Sequence, residues 1–192
     1  IEAHSHLKSV GAKELNELGK YNVTYKKNVL KDFSQRIFFV QERIAKNVYQ
    51  YQETLPKLDW ILTKETKSLL GYNCKSAKLN FRGRNYIAWY TTDVPKNDGP
   101  YIFQGLPGLI LQITDQTGTF DFTATAIEKK KMNIYWRNEK TVMPISRDDF
   151  RKIQRNYFEN PTFFSTRKAF DESGKEIKST LPPKVYNPLE LE

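Results

Sequence analysis

Hydrophobic and polar residues alternate along most of this chain, which is the pattern of half-buried β-strands. The clearest case is residues 119–128, where Phe120, Phe122, Ala124 and Ala126 fall on one face. One buried and one wet face is typical of an antiparallel sheet. Short turns separate the other predicted strands. They are YNVTYKK (21–27), QRIFFVQE (35–42), NVYQYQ (47–52), LDWILT (58–63), YNCKSAKLNF (72–81), NYIAWYT (85–91), LILQITD (109–115) and MNIYW (132–136).

One segment has a helical period instead. In residues 146–158, SRDDFRKIQRNYF, the side chains of Phe150, Ile153 and Tyr157 recur on one face. Ser146 can cap the first turn, and the acidic residues that follow it suit the positive end of a helix dipole. The pattern predicts a helix that stops before the next proline.

Several local features are predicted between these elements. Residues 12–18 read as a short helical turn, and residues 64–71 as a connection ended by a glycine. The apolar face of residues 72–81 changes partway, which predicts a β-bulge near Ser76. A hairpin is predicted over residues 166–179.

About ten strands, short turns and one late helix predict a mainly β (α+β) protein. We expect a single curved antiparallel sheet, or a half-open barrel, with the C-terminal helix packed on it. The 192 residues fit one domain, with a loose N-terminal segment at 1–20 and an extended tail at 181–192. The final Leu-Glu pair is typical of a cloning scar, and a removed signal peptide would fit a chain that starts at Ile1.

The net charge of +9 raises the question of nucleic acid as a partner. The basic residues are scattered, however, and their one tight run, at residues 129–131, is typical of a solvated turn. The sequence therefore predicts no nucleic-acid partner, and the charge fits an acidic partner or an anionic surface. No apolar run is long enough to span a bilayer, which leaves peripheral membrane contact open.

Catalytic and metal-binding patterns are sparse. The single cysteine, Cys74, reads as a small buried hydrophobe. The two histidines, His4 and His6, lie in the loose N-terminal segment, where a terminal metal chelate is the minor alternative. The sequence therefore predicts no metal and no cofactor.

A carboxylate enzyme is the remaining catalytic alternative. Asp93, Asp98 and Asp115 lie near the same predicted loops and could in principle divide the roles of acid and base. Acidic residues in loops are more often solvated. We therefore favour a non-enzymatic protein.

The stretch 105–110, GLPGLI, follows a loop rich in glycine and proline. Pro107 and Gly108 predict a type II turn in which Gly108 takes a positive φ. Gly105 is expected to let backbones pass closely, and Leu106 to be extended because it precedes proline.

The loop around residues 93–108 is the favoured functional surface. Arginines at a hairpin tip and aromatic residues on the strand that feeds the loop form a common binding ensemble. For these four residues the pattern favours the other interpretation, which places Trp89 in the core and the arginines in solvent. The candidates for binding a ligand or partner are Arg82, Arg84, Trp89, Tyr90, Gly105, Leu106 and Pro107.

These residues resemble a known family. The stretch 105–110 matches the signature of the GLPGLI family of Bacteroidetes proteins letter for letter. The resemblance is strong from about residue 58 to 128 and weaker toward both ends; further matches there are Trp60, Thr66-Lys67, Gly71-Tyr72, Cys74, Ala77, Phe81-Arg82-Gly83-Arg84, Ala88-Trp89-Tyr90-Thr91 and Gly99-Pro100. The ending Tyr186, Asn187, Pro188 is also similar. The resemblance implies an exported protein of the periplasm or cell envelope, and it transfers no catalytic residue.

Three functions follow as expectations. The first is a non-enzymatic cell-envelope protein that binds or carries an apolar or lipid-linked ligand in a cavity between sheet and helix. The alternative is a protein-interaction accessory of an envelope or outer-membrane system, with a filled core and an exposed patch. The third is a carboxylate-dependent hydrolase.

Overall fold

The computed structural model describes residues 27–131, 136, 140–165, 169–170, 172–177 and 180–191. Its strands and helices follow one another in a mainly β arrangement. The elements are β1 (Lys27–Asp32), β2 (Ile37–Ile44), β3 (Asn47–Thr54), β4 (Ile61–Leu69), β5 (Tyr72–Phe81), β6 (Arg84–Thr91), β7 (Leu109–Asp115), β8 (Asp121–Thr123), β9 (Val142–Pro144), α1 (Arg147–Glu159), a 3-10 helix (Pro161–Phe164), β10 (Ala169–Phe170) and β11 (Glu176–Ile177).

The predicted fold class, mostly antiparallel β with one late helix, is confirmed. The described strands are divided between two main sheets rather than joined in one. The first sheet has the order β1-β2-β3-β9, with β3 and β9 parallel, and the second has the order β4-β5-β6-β7-β8. The division falls between β3 and β4, in a connection whose Leu55 and Leu58 are buried in the core.

Strand β4 corrects one sequence prediction. The segment 64–71, expected to be a connection, continues the strand to Leu69, and Leu70 and Gly71 form the tight turn into β5 with φ angles of 51° and 80°. The charged side chains of the segment hid its strand character, because it lies at an edge of the sheet where both faces are wet.

The bulge predicted near Ser76 is present in the pairing of β4 with β5. Leu62 pairs with Ala77 and Thr66 with Lys75, so three residues of β4 lie opposite Ser76. The extra residues therefore belong to β4, and β5 itself runs without interruption. The apparent change of face in β5 has another cause, because both of its faces carry buried residues.

Both sheets contribute to one apolar core. It takes Phe38, Val40 and Tyr51 from the first sheet, and Ala77, Tyr86, Ala88 and Tyr90 from the second. The connection between β6 and β7 and helix α1 fill it further, with Tyr101, Ile102, Phe103, Leu106 and Phe150. The space between sheet and helix is thus occupied by side chains.

Helix α1 confirms its sequence signals. Ser146 Oγ accepts a hydrogen bond from the Asp149 N–H at 3.0 Å, which caps the first turn. Phe150 is buried, and its ring lies 5.1 Å from that of Tyr51 on β3. The helix ends at Glu159, and Pro161 starts the 3-10 helix.

The predicted hairpin within 166–179 is present as β10 and β11, which pair antiparallel. Residues 180–191 that follow contain no helix or strand. Within the described residues, no helix has the length and apolar character required to cross a bilayer. Several predicted features lie outside the described residues. They are the helical turn at 12–18, His4, His6, most of the strand patterns at 21–27 and 132–136, and the final Glu192.

Candidate functional site

The GLPGLI segment (residues 105–110) forms a tighter turn than the sequence predicts. The Gly108 N–H donates to the Leu106 carbonyl at 2.8 Å, across Pro107 alone, which is a γ-turn and not a type II turn. The glycine with a positive φ is Gly105, at 100°. Gly108 meets a different need, because a Cβ there would lie 2.0 Å from the Thr91 carbonyl oxygen. The two glycines therefore exchange the roles that the sequence suggests.

The side chains of this turn point in different directions. Leu106 is 1% exposed and belongs to the core, whereas Pro107 is exposed. Trp60 stands beside them, and its indole N–H donates to the Gln104 carbonyl at 2.8 Å. A Cβ on Gly105 would lie 3.4 Å from the same indole nitrogen, so Trp60 packs against the turn.

An open groove of about 440 Å³ lies between this turn and the start of β4. Residues 58–62 form one wall, and residues 105–107 form the other. Ile61 and Leu62 are 68% and 58% exposed, although both are large and apolar. As consecutive residues of a strand they point to opposite faces, so the start of β4 exposes an apolar side chain on each face and is a candidate contact site.

The groove coincides with the start of an edge strand. Strand β4 pairs with β5 on one side, and no described strand pairs with its other side. Proteins protect such edges with charges and bulges, and the middle of β4 has both, in Lys64, Glu65 and the irregular pairing opposite Ser76. Ile61 and Leu62 lie before these charges and before the irregular pairing. The apolar start of β4 is therefore open to pairing with another chain.

Arg82 and Arg84 lie at the β5–β6 hairpin tip, as predicted, but their charged ends bind within the chain. Arg82 binds Glu53 Oε2 at 3.1 Å and Glu190 Oε1 at 2.6 Å. Arg84 is 7% exposed; it binds Asp115 Oδ2 at 3.0 Å and donates to the Pro188 carbonyl at 2.7 Å. The hairpin tip therefore binds residues 188–190.

Glu190 is the centre of this contact and is 6% exposed. Besides Arg82, it accepts from the Tyr101 hydroxyl at 2.6 Å and binds Arg147 Nη2 at 2.7 Å. Burial opposes the charged form, but the guanidinium of Arg82 and the hydrogen bonds from Tyr101 and Arg147 outweigh it, and the pKa of Glu190 lies below its ordinary value. Residues 186–191, here called the C-terminal segment, thus bind the second sheet and α1, and Arg82 and Arg147 connect Glu190 to Glu53 of the first sheet.

Trp89 and Tyr90 lie on opposite faces of the second sheet. Tyr90 is 3% exposed and belongs to the core. Trp89 is half-buried on the other face, with the Lys67 ammonium 4.3 Å from the centre of its ring. Of the seven predicted binding residues, the structure brings Gly105, Leu106 and Pro107 to the groove. A binding role for Arg82, Arg84, Trp89 and Tyr90 stays a prediction.

Two of the three carboxylates considered for catalysis have cationic partners inside the chain. Asp98 pairs with Lys31, and Asp115 with Arg84. Although burial disfavours its charge, hydrogen bonds from the Phe120 N–H and the Thr117 hydroxyl, together with Arg84, hold the pKa of Asp115 below its usual range. A carboxyl of this kind stays ionised near neutral pH and is a poor proton donor. Among the described residues, no group of three metal-ligating side chains comes together.

Sequence reasoning missed Ile61 and Leu62 as site residues. The available signal was the run from Trp60 to Leu62, which breaks strict alternation and so places an apolar side chain on each face of a strand. That signal alone does not separate a central strand from an edge strand, and the pairing of β4 decides it.

Comparison with known proteins agrees with this β architecture. A family model described as the N-glycanase peptide, N-terminal domain, matches residues 9–150. The chain belongs to this N-glycanase N-terminal domain family. The matched residues include the whole second sheet and both walls of the groove. No curated protein matches the chain.

Two solved structures, both of PNGF-II in different crystal forms, share the fold. They are 19% and 20% identical to the chain, with TM-scores of 0.53 and 0.51. Each alignment covers 71% of this chain and 26% of the PNGF-II chain. This N-glycanase N-terminal domain family member therefore spans about a quarter of the length of the solved chains that it matches.

Proposed function

We propose that this chain is a non-enzymatic accessory module of a glycan-processing system in the cell envelope, and that it docks onto another protein segment through the groove at the GLPGLI segment. The observation that carries the proposal is the exposure of Ile61 and Leu62 at the unpaired start of β4. An extended segment added there would gain backbone hydrogen bonds along β4 and place an apolar side chain between Trp60 and Pro107.

The filled core supports docking over carriage. A carrier for a lipid-linked chain needs an enclosed apolar space, whereas Phe38, Phe103 and Phe150, each at most 1% exposed, occupy the region between the sheets and α1. The family supports the same choice. Its description is that of an N-terminal domain, and the PNGF-II chains are several times longer than the part aligned. A module of this kind acts next to another protein domain or chain.

The resemblance to exported GLPGLI proteins supports the envelope as the location. The glycan-processing context rests on the family description, which names an N-glycanase. A second candidate function uses the same groove. The apolar side chains of its mixed walls, which include Trp60 and Leu106, suit the apolar part of a small or lipid-linked ligand.

Site-specific crosslinking separates these two candidates. A photoreactive residue replaces Leu62 in the protein expressed in its native envelope, and mass spectrometry identifies the adduct. We expect one protein, crosslinked through an extended apolar segment. A lipid or glycolipid adduct would support the second candidate instead. The matched control places the photoreactive residue at Phe33, which is 49% exposed in the turn between β1 and β2.

Charge at the groove provides the complementary test. Replacing Ile61 and Leu62 together by lysine adds the protection found on other edge strands. Because both side chains are exposed, the variant is expected to fold normally. Capture of the crosslinked protein should fall at least about tenfold, since the substitutions remove apolar contact area and place two charges in the interface. Equal capture by this variant and by Phe33→Lys contradicts the docking proposal.

A further inference from the structure

A second exposed apolar surface lies at the end of helix α1 and is separate from the groove. Phe163, in the 3-10 helix, is 81% exposed, and Val185 is 87% exposed. Leu181 adds a third apolar side chain, at 40% exposure. We call these residues, with the aromatic residues that support them, the aromatic patch. None of them lines the groove.

The patch is a connected row of rings rather than a loose end. The ring of Phe163 lies 5.4 Å from that of Phe164, which lies 5.4 Å from Tyr157. Tyr157 contacts Phe158 at 5.7 Å, and Phe158 contacts Tyr186 at 5.6 Å. The first three of these contacts are edge-to-face and the contact of Phe158 with Tyr186 is tilted; together they support the outermost ring, Phe163, which is exposed to solvent.

Hydrogen bonds hold residues 181–185 beside this row of aromatic rings. The Leu181 N–H donates to Thr162 Oγ1 at 2.7 Å, and the Lys184 N–H donates to the Phe158 carbonyl at 2.7 Å. Leu181 and Val185 are thereby kept at the same end of the molecule as Phe163.

Basic side chains surround the rings. The Lys184 ammonium lies 5.4 Å from the centre of the Tyr157 ring, and the Arg155 guanidinium carbon lies 5.6 Å from that of Tyr186. Lys152, which also belongs to α1, pairs with Asp149 at 3.1 Å, and Glu159 contributes one exposed acid at the helix end. Lys184 and Arg155 therefore flank the aromatic residues directly.

From this arrangement we propose that the aromatic patch is a docking surface for an anionic lipid bilayer. Phenylalanine and valine enter the boundary between headgroups and acyl chains, tyrosine rings lie at headgroup level, and lysine and arginine bind the anionic headgroups. A bilayer is favoured over a protein partner because the patch, unlike the start of β4, lies on no strand and offers no backbone edge for pairing. Its three exposed apolar side chains alone are few for a stable protein interface, which needs about 800 Å² on each partner, whereas binding to a bilayer accumulates residue by residue.

Vesicle sedimentation tests the proposal. The wild-type protein is mixed with vesicles of phosphatidylglycerol and phosphatidylcholine in equal amounts, and with vesicles of phosphatidylcholine alone. We expect sedimentation with the anionic vesicles that weakens with added salt, and little with the neutral ones. Phe163→Ser and Lys184→Glu should each lower the partition coefficient about fivefold or more. Phe33→Ser, at an exposed phenylalanine elsewhere, should leave it unchanged.

A fluorescence measurement locates the contact. Cys74 is 0% exposed, so a thiol dye on a Val185→Cys variant reports on the patch alone. We expect its emission to shift to the blue with anionic vesicles, and a dye on Phe33→Cys to stay unchanged. Failure of the wild type to sediment with anionic vesicles, or equal sedimentation by Phe163→Ser, overturns the proposal. Binding of the patch by a protein partner, without binding to the vesicles, also overturns the proposal. The groove and its crosslinking result are independent of this outcome.

Discussion

At the scale of single residues, the GLPGLI segment shows how one short motif serves two needs. Gly105 adopts a backbone angle that other residues rarely take, and Gly108 allows the chain to pass against the end of β6. Proline and glycine in the sequence predict a turn here, and a turn is present. The close approach of Gly108 to Thr91 joins the motif to a preceding strand, and local reasoning has no access to that contact.

Gly108→Ala is expected to be the more damaging of two glycine changes. Its Cβ would lie 2.0 Å from backbone oxygen, which only a backbone shift can relieve, so we expect a loss of roughly 1–3 kcal/mol in the free energy of unfolding. Gly105→Ala has room at 3.4 Å from Trp60 and meets backbone strain alone, at about 1–2 kcal/mol. Urea denaturation of both variants measures the difference. A Gly108→Ala variant as stable as the wild type contradicts the assigned close approach.

Cys74 provides a second residue-scale prediction. Its side chain is fully buried in a small cluster with Leu109 and Leu111, and burial raises the pKa of its thiol. We therefore expect very slow alkylation of the native protein at pH 8 and rapid alkylation in denaturant, because the reactive thiolate is scarce and covered in the folded state. Mass spectrometry over time follows both reactions. Equal rates in the two conditions show that the thiol is accessible.

At the scale of elements, the C-terminal segment is the least predictable part of the described chain. The sequence shows an extended proline-bearing tail, yet Leu189 is 3% exposed and Glu190 6% exposed. Nothing local marks Glu190 as buried, because its partners Arg82, Tyr101 and Arg147 come from three separate regions of the chain. Helix α1 is the opposite case, since its cap, stripe and stop are all local signals, and its predicted bounds agree with the structure within a residue.

Glu190→Gln tests the contribution of this segment. Removing one partner from a buried ionic group leaves the other charges uncompensated, so we expect a loss of about 3 kcal/mol at pH 7. Glu159→Gln, at an exposed acid on α1, is the matched control and should change little. Chemical denaturation of both variants gives the comparison.

The pH dependence of the same variant has a defined sign. The folded protein lowers the pKa of Glu190, so the unfolded chain takes up its proton first as the pH falls. The stabilisation by Glu190 is therefore complete above its ordinary pKa of about 4.3 and is lost as the pH falls through the lower folded value. The deficit of Glu190→Gln should shrink over that acidic range. A constant deficit from pH 7 to pH 3 excludes a depressed pKa.

At the scale of the whole molecule, alternation and turn signals are enough to predict a mainly antiparallel β protein with a late helix. They are not enough to divide the strands between two sheets, because that division depends on where residues 55–60 turn into the core. The same limit of local sequence signals applies to the candidate site. The turn at Pro107 is visible in the sequence, but its neighbour across the groove, β4, is identified as an edge only by sheet order.

The central claim is that the start of β4 pairs with a segment of another protein. Amide hydrogen exchange, measured by nuclear magnetic resonance on the free module and on its complex with the crosslinked protein, tests it most directly. Pairing predicts slower exchange for amides of β4 at and beside Ile61, with little change in the opposite edge strand, β8. Unchanged exchange along β4 in a saturated complex would contradict the claim.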